Sequence, residues 1–172
     1  GTTLGPGKLT ISMGTYGANG LTPNTKDGKN VSFSVEIAAE DDSLAKIAAK
    51  INAAKGDVSA TVLKDHTGER LVLQSKATGV NSAFSVDAEG AGLQQFAYNG
   101  TDGTMKRSVE AQDTLAKING IDMASHTNVF EEVAAGVTLT VAQKSAKDAP
   151  PVRITIANDT ATAKTALKNL VE

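Results

Sequence analysis

One heptapeptide gathers residue types that enzymes use for acid–base chemistry. Residues 64–70 read KDHTGER and place Asp65, His66, Glu69 and Arg70 close together. A histidine transfers protons near neutral pH, a carboxylate can orient its ring, and a guanidinium can stabilise an oxyanion. The stretch is therefore the first place in this sequence to look for an active site.

Turn chemistry accounts for the same residues with fewer assumptions. Asp65 and Gly68 suit the first and fourth positions of a type I turn, and alternating strand patterns at 58–64 and 70–75 flank them. A hairpin tip is solvated, so His66 would have neither the burial nor the fixed partner that shifts the pKa of a catalytic group. We predict a hairpin turn here.

The other candidate motifs do not indicate chemistry either. GTYGANG (14–20) is not the G-x-G-x-x-G fingerprint of phosphate binding, and no capped helix follows it. His126 has no second His or Cys at metal-ligand spacing, and the acidic run at 40–42 lacks the alternating order of a calcium-binding loop. We predict no catalytic residue, no cofactor site and no metal site.

Composition narrows the possible partners. The 172 residues include 17 Lys and Arg against 19 Asp and Glu, and the formal charge is −2. This near balance predicts neither a nucleic-acid partner nor a membrane partner. The absence of cysteine excludes disulfides. Because the sequence starts without a Met and ends in a helix-like stretch, we expect a fragment of a longer protein.

Period-two alternation dominates the first part of the chain. It predicts strands at 9–13, 31–37, 58–64, 70–75 and 83–87. The turn-rich residues 14–30 indicate a long hairpin loop, and the Gly-rich residues 89–104 indicate a domain boundary.

One helix is predicted at 43–55 by apolar residues at helical spacing. Asp42 or Ser43 would cap its start, and Gly56 would end it.

The second part opens with a strong hairpin signal. Asn119-Gly120 suits a type I′ turn, which needs positive φ at both central residues. Thr127 or Asn128 would cap one or two helical turns that end at Gly136. Further predictions are strands at 137–143 and 152–158 and a helix at 159–172.

Together these patterns predict an α+β, β-rich fold with two small lobes, each a mainly antiparallel sheet with one helix packed on it. The first lobe covers residues 1–104 and includes the helix at 43–55. The second covers residues 105–172 and ends in the start of a C-terminal helix.

Residues 111–141, AQDTLAKINGIDMASHTNVFEEVAAGVTLTV, resemble a segment of the bacterial flagellar hook-associated protein 2 family, the filament cap proteins. The residues that carry the resemblance are Ala111, Gln112, Asp113, Asn119, Gly120, Thr127, Asn128, Gly136, Val137, Thr138 and Leu139. Upstream, GKLTIS, SLAKIAAKINAA and GERLVLQSKATG look like the preceding domain of that family. Residues 14–30 match it poorly.

The resemblance implies a structural role without catalysis or cofactor. Members form a ring-shaped homo-oligomer at the distal tip of the extracellular flagellum, after export by the flagellar apparatus, and promote folding and insertion of flagellin. This chain would supply the head domains D2–D3, with copies of itself and flagellin as partners. Residues 14–30 and 89–104 would be candidate contact surfaces.

Two alternatives are weighed against the cap hypothesis. Some family members attach to host mucin, so the chain could be a surface adhesin module for mucin or glycans. A glycan site usually stacks a sugar on an exposed aromatic ring, and only Tyr16 and Tyr98 lie in predicted loops. A hydrolase that uses His66 and Glu69 is the third hypothesis.

Overall fold

The computed structural model of the protein describes residues 4–100 and 103–155. These residues contain one α-helix and twelve strands, in the order β1 (Gly7–Gly17), β2 (Gly20–Pro23), β3 (Thr25–Lys26), β4 (Lys29–Asn30), β5 (Ser32–Ile37), α1 (Leu44–Ala53), β6 (Val58–Asp65), β7 (Gly68–Ser75), β8 (Ala83–Glu89), β9 (Thr114–Ile118), β10 (Ile121–Ser125), β11 (Val129–Ala134) and β12 (Val137–Thr140). The predicted β-rich α+β class is confirmed. Residues 1–142 form one compact unit and residues 143–172 a second. The predicted division into lobes after residue 104 stays a prediction.

β1 is the centre of the largest sheet. Its residues Gly7–Ser12 pair antiparallel with β5, and Gly14–Gly17 pair with β2. β8 pairs with the opposite edge from β5, since both strands are partners of Leu9 and Ile11. Leu9, Ile11 and Met13 are all buried, so the alternation in the sequence correctly predicts the inward face.

Residues 14–30 are not the long loop that the sequence indicates. The end of β1 and all of β2, β3 and β4 lie in this stretch, which contains two tight turns. Ala18 and Asn19 connect β1 to β2, and Asp27 and Gly28 connect β3 to β4. Asp27 and Gly28 have φ angles of 52° and 73°, which a type I′ turn requires. The pair Asp27-Gly28 is itself a hairpin-turn signal, which the interpretation of 14–30 as a loop overlooked.

Helix α1 confirms the predicted cap but not the predicted end. The Ser43 hydroxyl accepts a hydrogen bond from the backbone N–H of Lys46, 3.3 Å away. At the other end, Lys55 takes the left-handed conformation with a φ of 54°. A Cβ on Gly56 would lie 2.4 Å from ring carbons of Phe33. Glycine at position 56 therefore lets the Phe33 ring pack directly against the backbone.

The apolar core lies where α1 and the β6–β7 hairpin meet the main sheet. The buried members are Leu9, Ile11, Met13, Val35, Ile37, Ile47, Ala48, Ile51, Val58, Ala60, Leu71, Val86, Leu93 and Phe96. Asn52 ties the helix to β6, because its amide donates to the Ala60 carbonyl and accepts from the Ala60 N–H at 2.8 and 2.9 Å. Leu93 and Phe96 show that residues 89–104 contribute to the core.

Two hairpins follow. β9 and β10 meet at Asn119 and Gly120, whose φ angles of 52° and 85° confirm the predicted type I′ turn. The helical turns predicted before Gly136 are wrong, because β11 and β12 form a second hairpin there. Glu132 has a φ of 53° at an irregularity in the pairing, and the β-branched Val129 and Val133 favour a strand.

The remaining predictions concern the end of the chain. β12 ends at Thr140 and is shorter than the strand predicted at 137–143. Residues 152–155 form no strand, so that part of the prediction is wrong. Residues 156–158 and the helix predicted at 159–172 lie outside the described residues.

Candidate interaction surfaces

His66 lies at the exposed tip of the β6–β7 hairpin, where Asp65 and Gly68 close the turn. The Asp65 carboxylate accepts hydrogen bonds from the backbone N–H and the hydroxyl of Thr67 at 2.6 and 2.5 Å. These bonds hold the pKa of Asp65 below its usual value. Arg70 donates to the Thr67 hydroxyl over 2.8 Å. The predicted turn is confirmed, and its polar groups bond to one another.

The second histidine belongs to a polar junction, formed by Thr78, Gly79, Val80, Asp113 and His126. The Asp113 carboxylate accepts a hydrogen bond from the backbone N–H of Val80 at 2.8 Å and lies 2.7 Å from Nδ1 of His126. The Thr78 hydroxyl donates to the His126 carbonyl over 2.8 Å. The Val80 bond, with His126 second, holds the pKa of Asp113 below its usual value.

A His–carboxylate pair also occurs in hydrolases, where the far ring nitrogen activates a hydroxyl. Here the neighbouring hydroxyls have other partners. Ser125 donates to the Val129 carbonyl over 2.6 Å and accepts from the backbone N–H of Thr127 at 3.2 Å. The carboxylate of Asp113 is shared with the backbone of a distant loop, so the pair joins segments of the fold.

The family-like residues fall into three structural groups. Ala111, Gln112 and Asp113 lie just before β9, and Asp113 is part of the polar junction. Asn119, Gly120 and Gly136 form the two hairpin turns, and Val137, Thr138 and Leu139 lie on β12. Asn128 has a φ of 63°, accepts from the Thr114 hydroxyl, and bonds through its carbonyl to the N–H of Val141. Thr127 lies beside it in the loop between β10 and β11.

The β9–β10 hairpin exposes apolar side chains on both faces. Leu115 is 79% exposed and Ile121 is 66% exposed. Leu115 is opposite Ala124 and Ile121 is opposite Ile118, so the cross-strand register places the two exposed residues on opposite faces. Each face of the hairpin therefore presents one large apolar side chain to solvent.

Tyr16 is half-buried and bonded into the fold. Its hydroxyl donates to the Phe84 carbonyl over 2.9 Å, and burial raises its pKa to about 12. The Arg107 guanidinium lies 5.6 Å above its ring centre, and Tyr98 contacts it edge-on at 6.1 Å. Tyr16 is also a residue of β1, although the sequence placed it in a loop.

The described residues hold neither a metal-binding cluster nor a membrane-spanning helix. In residues 4–100 and 103–155, no three His, Asp or Glu side chains come together as a metal site would require. No helix in the same part of the chain is long and apolar enough to cross a membrane.

Two protein-family models and several flagellar proteins are similar to this chain in sequence. The family model described as the flagellar hook-associated protein 2 C-terminus matches residues 111–172, and that of the flagellin hook IN motif matches residues 21–77. The chain is 26% identical to flagellar hook-associated protein 2 of Salmonella typhimurium over 84% of its length. It is 28% identical to the B-type protein of Pseudomonas aeruginosa over 90%. It spans 31% and 35% of these relatives, about a third of their length.

Solved structures of flagellar cap proteins are also similar to this chain. The D2–D3 domains of the Escherichia coli flagellar cap protein FliD superpose with a TM-score of 0.70 at 26% identity, over 85% of this chain and 70% of that one. FliD of Pseudomonas aeruginosa has a TM-score of 0.75 at 24% identity, over 98% of this chain and 74% of that one. The second likeness concerns the fold alone.

Proposed function

We propose that this chain forms the head of a filament cap subunit. The premise is that the chain belongs to the flagellar hook-associated protein 2 family and corresponds to the D2–D3 region of the cap proteins. The observation that carries the proposal is the 26% identity to the Escherichia coli cap domains over 85% of the chain. The proposed role is structural, at the distal end of an extracellular flagellum, where the protein retains exported flagellin and promotes its insertion.

We assign the two head domains to residues 1–104 and 105–172. Support comes from strand pairing, since β9 to β12 pair only among themselves in the described part of the chain. A further support is that the two family models match separate segments, one on each side of residue 104.

The proposed partners are further copies of the same protein and flagellin. The β9–β10 hairpin, with Leu115 and Ile121 exposed on opposite faces, is the proposed contact surface. Burying such side chains against a neighbour stabilises an interface by about 25 cal/mol per Å² of apolar surface before the costs of association. No relative or structure reported above is named as an adhesin, and Arg107 lies over one face of the Tyr16 ring, so the adhesin alternative is unsupported.

Complementation tests the cap proposal. A strain that lacks its own cap gene receives the full-length parent gene, either unchanged or with Leu115→Ser and Ile121→Ser together. We expect the unchanged gene to restore filaments, and the double variant to shorten them and release more unassembled flagellin into the medium. Filament length by electron microscopy and flagellin in the culture supernatant are the two measurements.

Leu63→Ser is the matched control, because Leu63 is 56% exposed and lies on a different hairpin, β6–β7. Filaments of normal length are expected with it. If the unchanged gene restores no filaments, the cap proposal is wrong. If the control variant shortens filaments as much as the double variant does, the assignment of the β9–β10 hairpin is wrong.

A further inference from the structure

The β9–β12 hairpins bury little apolar surface of their own. Among the described residues after Met105, Phe130 is the only buried hydrophobic side chain. Phe130 is outside the main core cluster, whose buried members all come from residues 9–96. Each hairpin is also a separate two-stranded sheet. A two-stranded hairpin is at best marginally stable in water, so contacts outside these sheets must hold the hairpins in place.

The polar junction supplies such contacts, and it is anchored to the main sheet. Asn81, next to Val80, accepts a hydrogen bond from the Thr15 hydroxyl at 2.9 Å through its side chain. Its carbonyl accepts a second bond, from the side chain of Asn24, at 2.7 Å. The loop that carries Val80 is therefore fixed to β1 and to Asn24, which lies between β2 and β3. Asp113, bonded to that loop, lies immediately before β9.

Close backbone approach completes the junction. Gly79 has a φ of 91° and is buried, and a Cβ there would lie 2.7 Å from the His126 carbonyl oxygen. Only glycine lets the Thr78 hydroxyl reach that carbonyl from such a conformation without strain. The loop at residues 78–80 follows the segment matched by the flagellin hook IN motif, and the partners Asp113 and His126 lie in the C-terminal family match.

We propose that the polar junction is a latch, which docks the β9–β12 hairpins on the main sheet and whose loss releases them as a unit while the core stays folded. Asp113 is its central positioning residue, because one carboxylate serves both the Val80 N–H and the His126 ring. The chain just before the latch stays in contact with the main sheet when the latch opens, since Arg107 lies over the ring of Tyr16 on β1. The hinge is therefore the short stretch between Arg107 and Asp113.

Hydrogen exchange on the purified 172-residue chain tests the latch. Asp113→Asn removes the charge that strengthens both bonds, and hydrogen bonds to charged groups are stronger than neutral ones. We expect amides of residues 114–140 to exchange about tenfold faster in this variant, while amides of β1, β5 and α1 keep their wild-type rates. Asp122→Asn makes the same chemical change at a carboxylate that is 83% exposed on β10 and pairs with Lys117 at 3.3 Å. Because an exposed ion pair contributes little, exchange close to wild type is expected with it.

A steric pair of variants gives an independent measurement. Gly79→Ala places a methyl group against His126, whereas Gly20→Ala adds one at a similar φ, 98°, with no atom within 4 Å. Only the first should accelerate exchange in residues 114–140. Wild-type rates there in both Asp113→Asn and Gly79→Ala would overturn the latch. So would equal acceleration of the core amides, since the hairpins would then open only with the core.

Discussion

Asp41 is the carboxylate most closely integrated into the first lobe. It is only 7% exposed, accepts a hydrogen bond from the Ala38 N–H at 2.8 Å, and lies 2.5 Å from the Lys50 ammonium. Lys50 also donates to the Glu36 carbonyl over 3.1 Å. The pair therefore joins α1 to the end of β5. In the sequence, Asp41 stood out only as part of the acidic run at 40–42.

The first prediction concerns the acid sensitivity of this pair. The Lys50 bond, with the Ala38 bond second, lowers the pKa of Asp41 below its ordinary value of 3.8. A lowered folded-state pKa contributes stability that is complete above the ordinary value and is lost as the pH falls through the lowered one. We therefore expect Asp41→Asn to lower the free energy of unfolding near neutral pH. The difference from wild type should shrink below pH 3.8.

Urea unfolding at a series of pH values measures this difference. Asp42→Asn is the control, because the Asp42 side chain is 64% exposed, and its ion pair with Lys46 is an exposed pair of the kind that contributes little. A destabilisation by Asp41→Asn that is the same at neutral and acidic pH would contradict the assignment to the charged pair.

The residues of the polar junction show what a sequence can and cannot reveal. Asp113 is one of the family-like residues, so its type drew attention, but its partner Val80 is 33 positions earlier. The bond is to a backbone N–H, which every non-proline residue has, so no residue type announces it. His126 was set aside as a metal ligand because no second His or Cys stands at metal-ligand spacing, and its carboxylate partner, Asp113, is 13 positions earlier.

At the scale of elements, local signals predicted local structures. Ser43 as a cap, the apolar spacing of α1 and the Asn119-Gly120 turn are each encoded within a few residues, and the structure confirms all three. β11 was missed because its two glutamates and Ala134 also suit a helix. Its strand state depends on pairing with β12 and on the left-handed Glu132, which are tertiary features.

The second prediction concerns the β9–β10 turn. Gly120 has a φ of 85°, and no atom lies within 4 Å of a Cβ built there, so only backbone strain opposes a side chain. Gly120→Ala should lower the stability of the hairpin by about 1 kcal/mol. Amide exchange in β9 and β10 should then be roughly fivefold faster. Gly120→Asn should cost less, since Asn tolerates the left-handed region. Equal exchange rates in the two variants would show that the turn does not limit hairpin stability.

At the scale of the whole molecule, the apolar core is unevenly distributed along the chain. Its buried members come from residues 9–96, whereas β9 to β12 contribute only Phe130 to the buried hydrophobic side chains that the structure describes. The sequence predicted two small lobes, each a sheet with one helix packed on it, because strand patterns occur on both sides of residue 104. Repeated patterns do not reveal how much surface each half buries, since burial depends on contacts between distant segments.

The last prediction uses this uneven core. The chain has no tryptophan. Of its two tyrosines, Tyr98 packs against the core cluster, and Tyr16 lies on β1 and contacts Tyr98, so tyrosine fluorescence reports on the first part of the molecule. Leu9→Ala should lower the free energy of unfolding by about 2–5 kcal/mol and shift the fluorescence transition in urea. Phe130→Ala should leave that transition in place while circular dichroism, which also detects β9 to β12, loses strand signal at lower urea. A fluorescence shift in Phe130→Ala as large as that in Leu9→Ala would mean that the chain unfolds as one cooperative unit. Only in that case would removing a side chain outside the core cluster change the transition that the tyrosines report.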